Sequence, residues 1–283
     1  MSSATDHRHG EPEALAKSRG DPTRTATLRK RYSQKLRGQF GEINTEIRRG
    51  VRDRDVFGLS SDGESLAEPL PSQFPSRQDQ QIETFDRWLK RQQENGVLDV
   101  ISRNGNRYVR SAYGRGVEHA NTELRKRGMD VPEQELQQLF NRPVHRDTLQ
   151  LLYTSDYSDL EGITAEVSKQ ANRALTEGFA EGVGPDEIAR RLTDRVDKIG
   201  KTRATTLART SVIDAHSSAT LRRFEELGVE EVSGKAEWRT ARDRRVCARC
   251  RGLDGSVYSI EEAKGMLPRH PRCRCVWLPT VPN

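Results

Sequence analysis

The four cysteines of this 283-residue chain all lie between positions 247 and 275, and their arrangement most limits how the C-terminal region can fold. Cys247 and Cys250 form a C-x2-C pair, Cys273 and Cys275 form a C-x-C pair, and His270 precedes the second pair by three residues. This spacing is typical of a metal site or of a disulfide framework. Either one requires the chain to reverse direction between the two pairs.

The N-terminal sequence favours the metal over the disulfide. It contains no apolar run of the kind found in secretory signals, so the chain is expected to stay in the reducing cytosol. Paired cysteines in a reducing compartment are more often metal ligands than disulfides. Zn²⁺ takes four ligands in a tetrahedron, and a C-x2-C turn brings two thiolates to one ion. The sequence therefore predicts one structural zinc site, with a disulfide as the alternative.

Five residues compete for the four zinc positions. The candidates are Cys247, Cys250, His270, Cys273 and Cys275. Residues two apart in an extended strand point to opposite faces, so Cys273 and Cys275 can both ligate only if the segment turns. His270 with Cys273 forms the more compact chelate, and the choice of four stays open. A shell with this many candidates is expected to be closed, which favours a structural zinc over a catalytic one.

Composition and charge limit which partners are possible. Only 33% of the residues are hydrophobic while 32% are charged, which predicts a thin core, and metal binding would supply folding energy to a small module. The net charge is +6, and the entire excess lies from Asp197 onward. A basic region of this kind can attract phosphate backbones, although a solvated arginine-rich surface explains it equally well. The sequence has no apolar run long enough to span a membrane.

Hydrophobic periodicity predicts a mainly α protein with long helices, followed by a small C-terminal α+β zinc-binding module. The expected divisions are a disordered tail (1–24), an amphipathic helix (25–57), a linker (58–77), a helical domain (78–228) and the zinc-binding module (229–283). Within the amphipathic helix, apolar residues recur every three or four positions and predict one buried stripe. Its members are Leu28, Tyr32, Leu36, Phe40, Ile43, Ile47 and Val51.

Further helices and three strands are expected downstream. Helices are predicted over Val97–Arg127, Pro132–Phe140, Asp147–Glu181 and Thr202–Leu227, and another is expected to begin near Pro185 because proline suits a first helical turn. Strands are predicted near residues 232–238, in "GSVYSI" and in "CRCVWLP". His119, His145 and His216 have no paired ligands in the sequence, so ordinary packing or surface positions are expected for them.

The segment "EWRTARDRRVCARCRGLDGSVYSIEEAKGMLPRHPRCRC" resembles the C-terminal signature of the phage Mu protein F-like head morphogenesis family. The resemblance also covers "LTEGFAEGVGPDEIARRLTDRV" and "TTLARTSVIDAHSSATLRRFEELGV", and extends over about Leu149 to Pro279. Where this family commonly has Glu after Ala-Arg-Thr, the chain has Ser211. The signature residues here are Trp238, Asp243, Val246, Cys247, Cys250, Gly255, Tyr258, His270, Pro271, Cys273, Arg274 and Cys275.

The resemblance implies a structural, non-enzymatic role as a minor head protein of a tailed virus. It further implies contacts with the portal protein and other head proteins, a location in the virion after assembly in the host cytoplasm, and a non-specific contact with packaged DNA as an additional option. Two alternatives stay open at this point. One is a non-viral, zinc-dependent nucleic-acid-binding protein, and the other is a zinc hydrolase with Asp243 or Asp254 as its base.

Overall fold

The computed structural model describes residues 21–52, 77–94, 98–230 and 234–280. The predicted disordered tail lies outside the described residues except for positions 21–24, and the predicted linker lies outside them except for Arg77. Over the described ranges the chain is mainly α, with long helices and a small C-terminal region of strands and short helices, as predicted. None of the helices in these ranges is long and apolar enough to cross a bilayer.

Eight helices and three strands occur in the described ranges. In chain order they are α1 (Ala26–Arg52), α2 (Arg77–Glu94), α3 (Arg107–Arg125), α4 (Leu136–Asn141), α5 (Pro143–Glu181), α6 (Pro185–Glu226), β1 (Lys235–Arg239), α7 (Ala248–Arg251), β2 (Val257–Tyr258), α8 (Ile260–Ala263) and β3 (Val276–Thr280).

Helix α6 lies at the centre of the helical part, and α1, α3 and α5 pack along it. The predicted stripe of α1 is buried against this bundle at every position from Leu28 to Ile47. Helix α2 packs on α5, with Phe85 and Leu89 buried. These helices share one hydrophobic core, so the amphipathic α1 finds its partner inside the same chain.

Helix α6 is continuous from Pro185 to Glu226, whereas the sequence predicted a separate helix over Thr202–Leu227. Gly200 lies within α6 and does not interrupt it. A Cβ added at Gly200 would lie 2.7 Å from Cβ of Phe40 in α1. The glycine therefore allows α1 and α6 to approach closely, and this tertiary contact outweighs its low helix propensity.

Helix α3 begins at Arg107, ten residues later than predicted, because Asn106 caps it. The Asn106 side-chain oxygen accepts hydrogen bonds from the backbone N–H groups of Tyr108 and Val109. Residues Ser102 and Gly105 form a tight turn just before this cap. Helix α5 begins earlier than predicted, at Pro143, where the ring of proline suits the first helical position.

A buried carboxylate joins four helices of the bundle. Asp156 of α5 is 2% exposed and accepts hydrogen bonds from Tyr32 of α1, Ser211 of α6 and Asn106 at the start of α3. Burial raises the pKa of Asp156, and the three donors oppose that rise. Ser211 is thus a donor to a carboxylate of α5.

The C-terminal region, residues 234–280, forms a module around a three-stranded antiparallel sheet of order β2-β1-β3. Ala236 pairs with Tyr258 of β2 and with Pro279 of β3. The core of this module continues into the ends of α3 and α6 through Leu124 and Phe224. This second core contains residues from both sides of the predicted division at residue 229, so the module packs against the helical bundle and shares its core with it.

The close crossing of α3 and α6 yields a prediction about stability. A Cβ added at Gly116 of α3 would lie 2.8 Å from Cβ of Ala219 and still closer to the carbonyl oxygen of His216. We expect Gly116→Ala to lower the free energy of unfolding by about 1–3 kcal/mol, because backbone atoms of α6 cannot give way. Gly162→Ala is the control, since it meets nothing within 4 Å and gains helix propensity. Thermal denaturation measures both, and an unchanged melting temperature for Gly116→Ala would contradict the close approach.

Candidate metal centre

The C-x2-C pair is placed by a single short helix. Cys247 is the N-cap of α7, and its Sγ accepts a hydrogen bond from the backbone N–H of Cys250 at 3.4 Å. This turn aims both sulfur atoms to the same side. Cys250 is buried, while Cys247 is half-buried.

The second pair directly follows a turn and lies outside the strands. The backbone N–H of Cys273 donates to the carbonyl oxygen of His270, and Arg272 adopts a left-handed conformation with a φ of 66°. Strand β3 begins only at Val276, after the last cysteine. Residues 273–275 are thus outside the regular strand for which the opposite-face rule holds. Cys273 and Cys275 are both buried, and their Sγ atoms lie within 4.8 Å of each other and of Cys250 Sγ.

The other four candidate ligands lie close to Cys250. The ligand atoms of Cys247, Cys250 and His270 lie within 4.8 Å of one another, and so do those of Cys250, Cys273 and Cys275. His270 Nε2 is 3.3 Å from Cys247 Sγ and 3.2 Å from Cys250 Sγ. Two ligands of one tetrahedral zinc lie about 3.5–3.8 Å apart, so the spacing fits a metal of this kind. All four cysteines are free thiols.

The histidine has the tautomer that a metal ligand needs. His270 Nδ1 lies 2.8 Å from the carbonyl oxygen of Pro271, to which it donates its proton. In the neutral ring this leaves the lone pair on Nε2, which faces the sulfur atoms of Cys247 and Cys250. A backbone carbonyl that fixes the ring in this way is common beside metal-binding histidines. These Cys and His groups could hold a metal ion.

An ion pair joins the two segments that carry the candidate ligands. Asp243, four residues before Cys247, accepts two hydrogen bonds of 2.6 Å from the guanidinium of Arg274, which lies between Cys273 and Cys275. This bidentate geometry is the strongest form of an Arg–carboxylate contact. Hydrogen bonding to Arg274 holds the pKa of Asp243 well below its usual range and raises the pKa of Arg274.

A second carboxylate supports the loop between β1 and α7. Asp254 accepts hydrogen bonds from the backbone N–H of Thr240 and from Arg242 Nε, at 2.8 and 2.9 Å. Burial by itself raises the pKa of Asp254, but these donors outweigh it and the pKa is lowered. Arg242, Arg245 and Arg274 thus pair with carboxylates near the site. Their ion pairs stabilise the loop between β1 and α7 and its contact with the segment that contains Cys273 and Cys275.

Aromatic residues dock the module on the helices. Trp238 of β1 and Trp277 of β3 are fully buried and meet edge to face at 5.3 Å. Trp277 Nε1 donates to Ser217 Oγ of α6 at 3.0 Å, and His119 Nε2 of α3 lies 2.9 Å from the Trp277 carbonyl oxygen, to which it donates. The same tryptophan is therefore held by α3 and by α6.

Within the described ranges, the three histidines outside the cysteine segment have packing roles. His119 holds the Trp277 carbonyl, and its ring lies 5.2 Å from that of His216, which is buried in α6. Burial lowers the pKa of both rings. His145 is fully buried, with Nδ1 2.8 Å from the Tyr113 hydroxyl and Nε2 3.1 Å from Glu226.

Sequence reasoning missed two contributions to this centre. It treated Asp243 only as a signature residue and a candidate base, whereas the structure pairs it with Arg274. It did not predict that Ser217 and His119 hold Trp277. The Asp-x-x-V-C spacing places Asp243 near the C-x2-C pair, but it does not indicate that the partner of Asp243 is Arg274. No local signal exists for the second, because Ser217 and His119 lie 60 and 158 residues from Trp277 along the chain.

Comparison with protein families identifies a match to the C-terminal part of the chain. Residues 169–278 match the model of the family described as Phage Mu protein F like protein. The matched region starts within α5, includes α6 and ends within β3, so it contains all five candidate ligands. It begins later than the sequence resemblance, which started near Leu149. Curated proteins and solved structures give no significant match.

The Asp243–Arg274 pair yields a second prediction. We expect Asp243→Asn to increase amide hydrogen exchange in residues 242–252 and 269–275, since the charged contact that joins them is lost. Asp194→Asn, which removes an exposed carboxylate paired with Arg190, is the control. Because the folded pKa of Asp243 is depressed, its stabilising effect is present above the unfolded pKa of about 4 and is lost as pH falls through the folded value. Equal exchange in both variants would argue against the pair.

Proposed function

We propose, from the match of residues 169–278 to the model of the phage Mu protein F-like family, that the protein is a structural minor head protein of a tailed virus. In this proposal it acts in head morphogenesis at the portal vertex and contacts the portal protein and other head proteins. It assembles in the host cytoplasm and remains in the virion. The observation that carries the proposal is that the family match covers α6 and the cysteine module together.

We propose that the module holds one structural Zn²⁺ through four of Cys247, Cys250, His270, Cys273 and Cys275. Cys250 belongs to both groups of adjacent ligands, so it ligates in every arrangement considered. The remaining three positions are shared among the other four residues. When bound, the ion would join the α7 loop to the turn before β3. A module with so small a sheet gains folding energy from such a crosslink.

The contacts of the two nearby carboxylates favour a structural role over hydrolysis. A general base needs a carboxylate that is free to accept a proton near neutral pH. Asp243 is engaged by Arg274 and Asp254 by Arg242 and Thr240, and the pKa of each carboxyl is lowered. Both therefore stay charged and hydrogen-bonded, which suits loop architecture better than proton transfer.

The module also offers a surface for a non-specific contact with packaged DNA. Arg244, Arg249, Arg269 and Arg272 are exposed and form no salt bridge with any described residue. Free guanidinium groups clustered on one small module attract phosphate regardless of base sequence. This contact would be salt-dependent and secondary to assembly. Specific, high-affinity binding to one nucleic-acid sequence would instead favour the non-viral alternative.

The zinc proposal predicts the metal content of the purified protein. We expect one zinc per chain by elemental analysis and none in Cys250→Ser. Among Cys247→Ser, His270→Ala, Cys273→Ser and Cys275→Ser, at least one variant keeps the metal, because five candidates share four positions. Chelation of the wild-type protein should shift the near-UV circular dichroism of Trp238 and Trp277, since the crosslink supports their packing. Full zinc retention by Cys250→Ser would contradict the site.

The assembly proposal predicts the outcome of removing the gene from the virus. We expect heads of aberrant shape or reduced DNA content, a loss of infectivity, and recovery when the gene is supplied in trans. Electron microscopy, DNA quantification and plaque assays measure these effects. In the wild-type virus, mass spectrometry should find the protein in purified heads. Normal, infectious heads without the protein would overturn the proposal.

A further inference from the structure

A groove of about 300 Å³ runs between α5 and α6 on the surface of the bundle. Small residues such as Ser155 and Ser218 leave it open, and Lys264 and Gly265 of the C-terminal module close one end. The candidate zinc ligands and the exposed arginines do not line it, and of the residues that hold Trp277 only Ser217 does. The groove therefore has no role in the functions described so far.

The wall of the groove carries the most exposed large apolar side chain of the described residues. Leu151 of α5 is 70% exposed, and Val144, two turns earlier on the same helix, is 41% exposed. Leu152 and Leu221 line the groove beside Leu151. These three leucines form an apolar strip in a groove whose other lining residues are polar, charged or glycine.

The floor of the groove contains a carboxylate without a cation. Asp214 of α6 is partly buried, and Ser218 Oγ donates to it at 3.3 Å. No salt bridge to Asp214 forms within the described ranges. The basic groups at the rim have other partners. Arg222 pairs with Glu225, and Lys264 pairs with Glu225 and Glu261.

Burial is the main cause that raises the pKa of Asp214 to about 6, and the negative charges of Asp159 and Asp156 add to it. At neutral pH the carboxylate is still ionised. A partly buried charge with one weak hydrogen bond is poorly compensated, and a cation from outside would stabilise it.

We propose that this groove docks an amphipathic helix of another head protein, with an apolar side chain against Leu151 and Leu152 and a lysine or arginine reaching Asp214. Two long neighbouring helices form a natural groove for a third helix, whose apolar residues recur on one face. The charge of Asp214 selects a basic residue on that face. This inference rests on the proposed role in head assembly.

The metal centre and the groove are connected through the module. Lys264 and Gly265, which close the groove, belong to the same module as the candidate zinc ligands. Loss of the module's packing would remove that wall. The docking site is therefore complete only when the module is folded on α6.

A photocrosslinking residue at position 151 tests the occupant directly. The full-length protein, carrying benzoylphenylalanine in place of Leu151, is supplied to a virus that lacks the gene, and purified heads are irradiated. We expect a crosslink to a different head protein, at a segment that contains both apolar and basic residues. Benzoylphenylalanine in place of Val257, which is 47% exposed on β2, is the matched control and should not give this product.

Substitutions then test the chemistry of the contact. We expect Leu151→Ser combined with Asp214→Asn to reduce the copies of the protein per head about tenfold, as for a central interface contact. Asp194→Asn and Val257→Ser should leave the number unchanged. Melting temperature and zinc content of the purified variants show that they are folded.

The outcomes separate this inference from the function on which it rests. If the wild-type protein is absent from heads, the assembly role is wrong and the docking site is wrong with it. If the wild-type protein is present but the double variant is incorporated equally, only the groove proposal is overturned. A crosslink from position 151 only to DNA or to a second copy of this chain, or no crosslink at all, overturns it as well.

Discussion

The burial of helix α6 on several sides is the constraint on which the rest of the structure depends. This helix has 42 residues, and α1, α3, α5 and the C-terminal module all cover parts of its surface. A helix with buried residues around so much of its circumference is stable only inside an assembly of neighbours. Close approach at Gly116 and Gly200 then sets how tightly α3 and α1 can pack on it.

Two kinds of contact attach the module to the helices: hydrogen bonds to Trp277 and a shared hydrophobic core. Trp277 is held through Ser217 and His119, and the second hydrophobic core continues from the sheet into the helix ends. Within the module, the Asp243–Arg274 pair joins the same two segments that a metal at the cysteine cluster would join. The ion pair, and a metal if one is bound there, would therefore act on one chain reversal, and the contacts of Trp277 hold this part of the module against the bundle.

Local sequence patterns were sufficient to predict a mainly helical chain and to identify the chemistry of the cysteine segment, but not to place every helix end. The apolar stripe of α1 and the strands around Trp238 and Trp277 were predicted from periodicity alone. The C-x2-C and H-x2-C-x-C spacings were enough to identify a candidate metal centre, because ligands within a few residues of each other are constrained by the backbone. The break predicted before Thr202 was wrong, since the packing of α1 against α6 keeps that segment helical.

The sequence by itself determined that the chain is mainly α and that its cysteines lie in a small C-terminal module. Only the tertiary structure decided that both Cys273 and Cys275 face Cys250, that Asp156 joins four helices and that Asp214 lies in an open groove. The physical reason is distance along the chain. Periodicity and spacing act over a few residues, whereas these contacts depend on the directions in which separate helices and turns pack.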